Sequence, residues 1–113
     1  MQEETKKLVV LRSGPMAATV VIRTAAEMAR QGDKVSLCLI QDGVLCALKA
    51  NKSPSGSMLA QAVGAGVELR YLGEDLTARG FGETDVRGEA RSLGYAELVE
   101  MMLVDGQGVL GAF

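Results

Sequence analysis

The stretch VSLCLIQDGV, residues 35–44, constrains the fold more than any other part of the chain, because an unbroken apolar run stops at Gln-Asp-Gly and turns amphipathic. The run is far too short to cross a bilayer. Its apolarity on both faces suits a central parallel strand covered by helices on either side. A second corner of the same kind follows in VELRYLGEDLTARGF, residues 67–81, where an alternating strand turns through glycine and two acids into a short helix. Two strand-to-helix corners of this kind predict neighbouring strands of one parallel sheet, ending at a common rim where sites form.

The rest of the chain alternates in the same way. Residues 8–11, LVVL, read as a first strand, and Ser13-Gly14-Pro15 offers a cap and a first-turn proline for a helix over 16–30. In that helix Val20, Val21, Thr24, Ala25 and Met28 fall on one stripe, and Gly32 stops it. Asp42 and Gly43 predict a helix through Lys49, residues 51–57 a loop, 58–64 a short helix and 68–72 the third strand. One or two helical turns follow at 74–79, then an irregular excursion over 82–94 holding a brief strand, an amphipathic helix over 95–104 and a last strand over 108–113. Strands alternating with helices predict an α/β fold, a three-layer α/β/α domain around a mainly parallel sheet of about five strands. At 113 residues the chain is expected to form one domain, residues 1–113, with 1–7 a flexible N-terminus.

Bulk chemistry removes several function classes. A net charge of −2 disfavours direct nucleic-acid binding, which draws on clustered Lys and Arg. Nothing reads as a secretory leader or a membrane span, so a cytoplasmic protein is expected. Histidine is absent, which removes Ser-His and Cys-His nucleophile pairs and the commonest metal ligand together. The two cysteines match neither a redox pair nor a zinc knuckle, so reduced thiols and no metal site are expected. GQGVLG at residues 106–111 spells the dinucleotide fingerprint, but too little chain follows it to form the helix that holds a pyrophosphate. No cofactor is expected.

Two groups of residues carry candidate chemistry. Cys38 belongs to the core of its strand. Cys46 has two readings: a helix residue packed beside Leu45 and Leu48, or a thiolate favoured by a helix start, with Lys49 nearby and Asp42 opposing. The second would suit a nucleophile or persulfide carrier. Gln41, Asp42, Gly43, Glu74, Asp75 and Arg79 gather at the two corners, either as helix caps with a local ion pair or as a polar crevice that binds a ligand or subunit, with Arg79 as its anion contact.

LIQDGV at 39–44, the long 67–81 block with its Leu-Gly-Glu-Asp-Leu-x-Ala-Arg-Gly core, and YAELV at 95–99 together resemble the DsrH/TusB family of the DsrE/DsrF/DsrH superfamily. The resemblance spans residues 35–104. It implies a small α/β domain with a five-stranded sheet that assembles into oligomers. It also implies a cytoplasmic sulfur-relay subunit, serving either persulfide transfer toward tRNA 2-thiouridine or sulfur oxidation. The expected partners are its own copies or DsrE/DsrF-type subunits, with a sulfur donor or acceptor protein. Where DsrE/TusD-type members carry their sulfur-accepting cysteine, seven residues before Arg-Gly, this chain has Leu72, and the helix over 16–30 has no cysteine. Only Cys46 remains as a carrier. The rival function is a non-catalytic, homo-oligomeric binding or scaffold domain whose crevice around Asp42, Glu74 and Arg79 receives a small anion or a partner loop.

Overall fold

The computed structural model describes residues 6–103 and the backbone of 108–112. Five strands, β1 (Lys6–Leu11), β2 (Lys34–Leu39), β3 (Glu68–Leu72), β4 (Arg91–Leu93) and β5 (Gly108–Ala112), form one sheet in the order β4-β3-β2-β1-β5. Every pairing is parallel. Among the described residues four α-helices accompany them: α1 (Thr19–Arg30), α2 (Pro54–Gly64), α3 (Gly73–Ala78) and α4 (Tyr95–Leu103). The expected α/β architecture is the one observed. β1 begins at Lys6, so Lys6 and Lys7 of the expected flexible N-terminus are strand residues; residues 1–5, 104–107 and 113 lie outside the described set, and with them the expected helix end at Val104 and the first two residues of GQGVLG.

Strand alternation sorts the core into two layers. Val9, Leu11, Val35, Leu37, Leu39, Leu69 and Tyr71 point to the face covered by α1 and α2. Leu8, Val10, Cys38, Leu72 and Leu93 point to the opposite face and meet Leu98 and Met101 of α4. Two packed helices thus cover one face, and among the described elements α4 is the helix of the other.

Three local expectations are corrected. The helix expected from Asp42 through Lys49 is a 3₁₀ helix, Gln41–Ala47. It stops because Leu48 turns extended and bridges Val86, while the Arg87 N–H reaches the Ala47 carbonyl and the Lys49 N–H the Asp85 carbonyl. The expected loop over 51–57 already contains the first turn of α2. Ser53 is extended, Pro54 takes the first helical position, and Ser55 is buried because Asn51 and Ser53 satisfy its hydroxyl. In α1 the buried stripe is Ala18, Ile22, Ala25 and Ala26, whereas Val20 is 66% exposed and Thr24 turns its hydroxyl back to the Val20 carbonyl at 2.8 Å. Of the expected stripe Ala25 is buried and Val21 and Met28 pack against the same core, so close approach to α2 and the sheet turns the stripe only far enough to bring Ile22 and Ala26 in and leave Val20 and Thr24 outside. The helix also begins at Thr19, leaving Met16 on an exposed turn.

Candidate functional site

Both sequence corners lie at the carboxyl edge of the sheet. Leu39 of β2 pairs with Tyr71 of β3, so the turns after them leave adjacent strands on the same rim. The approach is tight at Gly43: a Cβ there would fall on the Leu11 carbonyl oxygen and lie 2.9 Å from its carbon. Only glycine lets the 3₁₀ helix cross the end of β1 this closely. Gln41, immediately before, holds φ at 50°, the one non-glycine residue with positive φ among those described. That conformation costs energy for a side chain with a Cβ, and here tertiary bonds hold it.

Those bonds come from α3. The Gln41 N–H donates to the Asp75 carboxylate at 2.6 Å. Arg79, the residue that caps the end of α3, donates through Nε to Asp42 at 2.9 Å and through Nη1 to the Asp75 carbonyl at 3.0 Å. The structure therefore brings Gln41, Asp42, Asp75 and Arg79 together as a latch between the β2 corner and α3. The guanidinium already meets an acid and a carbonyl, so the arrangement first locks two elements together.

Glu74 is separated from this group. Neighbours on a helix diverge by about 100°, and Glu74 lies on the other side of α3, accepting the Tyr95 N–H at 3.3 Å. It borders a cleft of about 760 Å³ whose walls include Tyr71, Thr77, Ser92, Gly94, Glu83 and Glu97. Glu97 in turn accepts the Gly94 N–H at 3.3 Å, so two carboxylates hold the start of α4. Ser92, Gly94 and Glu97 were not among the sequence candidates. The Gly-Tyr-Ala-Glu spacing, a cap followed by an acid at the third helical position, is the signal that points to them.

Cys46 stands apart from both groups. It is fully buried, its Sγ 3.9 Å from the Ser13 carbonyl, and its own carbonyl accepts the Asn51 amide at 2.9 Å. The expected help from a helix start is not what dominates: burial pushes the thiol up to about 11, against partial relief from Ser55. Cys38 is also fully buried, beneath α4, and burial pushes it up to about 12 despite the nearby Arg70. Leu72, which stands where the resemblance to DsrE/TusD-type proteins would place a cysteine, is 1% exposed. Among the described residues no cluster of ligating side chains could hold a metal ion, and no helix is long and apolar enough to cross a membrane.

Comparison with known proteins agrees with this architecture. The crystal structure of the ychN protein from E. coli superposes with a TM-score of 0.80 at 17% identity, covering 98% of this chain and all of that one. The structure of MTH1491 from Methanobacterium thermoautotrophicum gives 0.78 at 12% identity, over 96% of this chain and 98% of that one. At such identities the likeness is one of fold. No curated protein sequence matches. The family model described as DsrH like protein matches residues 16–107, which includes both corners, the α3 latch and α4. The fold and that match together place the protein: it belongs to the DsrH-like family.

Proposed function

We propose that the chain is a sulfur-relay subunit of the DsrH/TusB type that contributes structure to an assembly and does not itself carry sulfur. The observation that supports this most is the state of its thiols. The chain has two cysteines, both are fully buried, and both have pKa values raised well above the ordinary 9.0. Persulfide exchange needs an accessible thiolate to attack a donor sulfur and, later, an acceptor to attack in turn. Neither thiol meets the first requirement. Cys46 as a carrier would demand that the 3₁₀ helix open away from β1.

In this reading the relay cysteine belongs to a DsrE/DsrF-type partner, and this chain shapes the assembly at the rim formed by Gln41, Asp42, Asp75 and Arg79. The pathway is cytoplasmic and ends in tRNA 2-thiouridine or in sulfur oxidation, with a sulfur donor or acceptor protein docking on the complex and no direct nucleic-acid contact. Native mass spectrometry of the chain co-expressed with DsrE- and DsrF-type subunits from the same genome tests the proposal. A defined hetero-assembly in which a persulfide donor labels only the partner is the expected result. Failure to associate, or label on this chain, overturns it.

A further inference from the structure

The cleft beside Glu74 has the sign opposite to the anion crevice expected at these corners. Three carboxylates border it, those of Glu74, Glu83 and Glu97, and among the described residues no base does. The bases of this end of the molecule stand outside: Arg79 is held by Asp42, while Arg87 and Arg91 line a smaller cavity that adjoins the cleft at Tyr71, Glu83 and Ser92. Glu74 and Glu97 each give one oxygen to the start of α4, which fixes the carboxylate in place, and among the described residues the second oxygen of each makes no hydrogen bond. Glu83 bonds through neither oxygen, because the short 3₁₀ turn it opens is capped by Asp85 instead.

A buried hydroxyl opens on the same space. Tyr71 lines the cleft and is only 3% exposed, yet among the described residues its hydroxyl has no hydrogen-bond partner. A tyrosine buried to this degree ordinarily bonds its hydroxyl. Among the described residues no polar side-chain atom sealed from solvent lacks a partner, so the Tyr71 hydroxyl meets the space of the two adjoining cavities that its residue lines. A donor and acceptor without a partner therefore lies where three carboxylates have oxygens to spare.

Spacing selects the class of ligand. Among the described residues no three acidic side chains converge closely enough to hold a metal ion, so a point charge cannot use all of these carboxylates. Leu76, Ala78 and Leu93 supply apolar wall to the same cleft, whose 760 Å³ is of the size that takes small organic ligands. Separate negative charges with apolar surface between them match ammonium groups joined by methylenes, the stem lying on the wall and the heads on the acids. We infer that the cleft binds a linear aliphatic polyamine, its ammonium groups donating to Glu83, to the free oxygens of Glu74 and Glu97, and to the Tyr71 hydroxyl. The inference is independent of the relay reading.

Isothermal titration calorimetry of the full chain with spermidine at physiological salt tests it. Saturable one-to-one binding is expected. Glu83→Gln keeps the shape and removes the charge, and should weaken binding about tenfold. Tyr71→Phe should weaken it about fivefold, the worth of one neutral hydrogen bond. Glu27→Gln, at an exposed acid of α1, changes the net charge equally and is expected to leave binding as it was. Neither the Glu83 carboxylate nor the Tyr71 hydroxyl bonds within the described protein, so both variants should keep the wild-type urea midpoint. Magnesium and a lysine tripeptide, titrated in place of spermidine, separate the sources of positive charge, and weaker binding of both supports the inference. Absence of saturable spermidine binding overturns it, as does an equal loss in Glu83→Gln and Glu27→Gln, an unchanged affinity in Tyr71→Phe, or a tighter hold on magnesium or on the peptide.

Discussion

At the scale of single residues, burial decides what the thiols can do. Their folded pKa values, about 11 for Cys46 and about 12 for Cys38, lie above the 9.0 of an unfolded thiol. The unfolded chain therefore releases those protons first. Their contribution to stability is complete below about pH 9 and is lost as pH rises through 11 toward 12. Urea midpoints measured across that window should fall, and the fall should be shallower in Cys46→Ala; an equal slope contradicts the assignment. Two backbone positions carry opposite expectations. Gly43→Ala drives a Cβ into the Leu11 carbonyl and should cost about 3 kcal/mol in chemical denaturation. Gln41→Gly relieves the positive φ and should gain about 0.5 kcal/mol after the added chain entropy is counted.

At the scale of elements, much of the chain was legible because its signals are local. Strands β2 and β3 announce themselves as apolar or alternating runs ending in Gly and acids, and the brief strand within 82–94 appears as β4. Pairing of the two corners followed from parallel topology, and Asp42 does meet Arg79 as an ion pair. What sequence could not supply was choice between equivalent local patterns. In α1 two apolar stripes overlap at Ala25, and only packing against α2 and the sheet turns Ile22 and Ala26 inward and Val20 outward. In α3, Glu74 and Asp75 look alike in sequence, yet they face different corners because they lie a fraction of a turn apart. The 51–57 stretch has loop composition, but Asn51 and Ser53 hold Ser55 while Pro54 opens α2. For Cys46 the sequence allows both a packed residue and a thiolate at a helix start, and burial, with Leu48 pairing to Val86 beyond it, decides for the packed one. Arg79→Ala should cost about 0.5–1 kcal/mol by urea titration, since the pair with Asp42 is partly exposed. A loss several times larger would mean that the latch holds the strained Gln41 corner cooperatively.

At the scale of the whole molecule, the two faces of the sheet are treated differently. One is closed by α1 and α2; on the other, α4 presents an apolar stripe outward. Leu98→Ala should cost about 3 kcal/mol, because that side chain anchors α4 to Leu72 and Leu93, and thermal unfolding measures the loss. Buried thiols, a locked rim and an outward apolar helix all accord with the proposal that this chain contributes contact surfaces and leaves sulfur exchange to a partner. Intact-mass spectrometry of the native full-length chain after incubation with a persulfide donor at neutral pH tests that account most directly. The account predicts no added sulfur on the folded protein and rapid labelling of both cysteines once denaturant is present; a sulfur adduct on folded wild type that Cys46→Ser abolishes would contradict it.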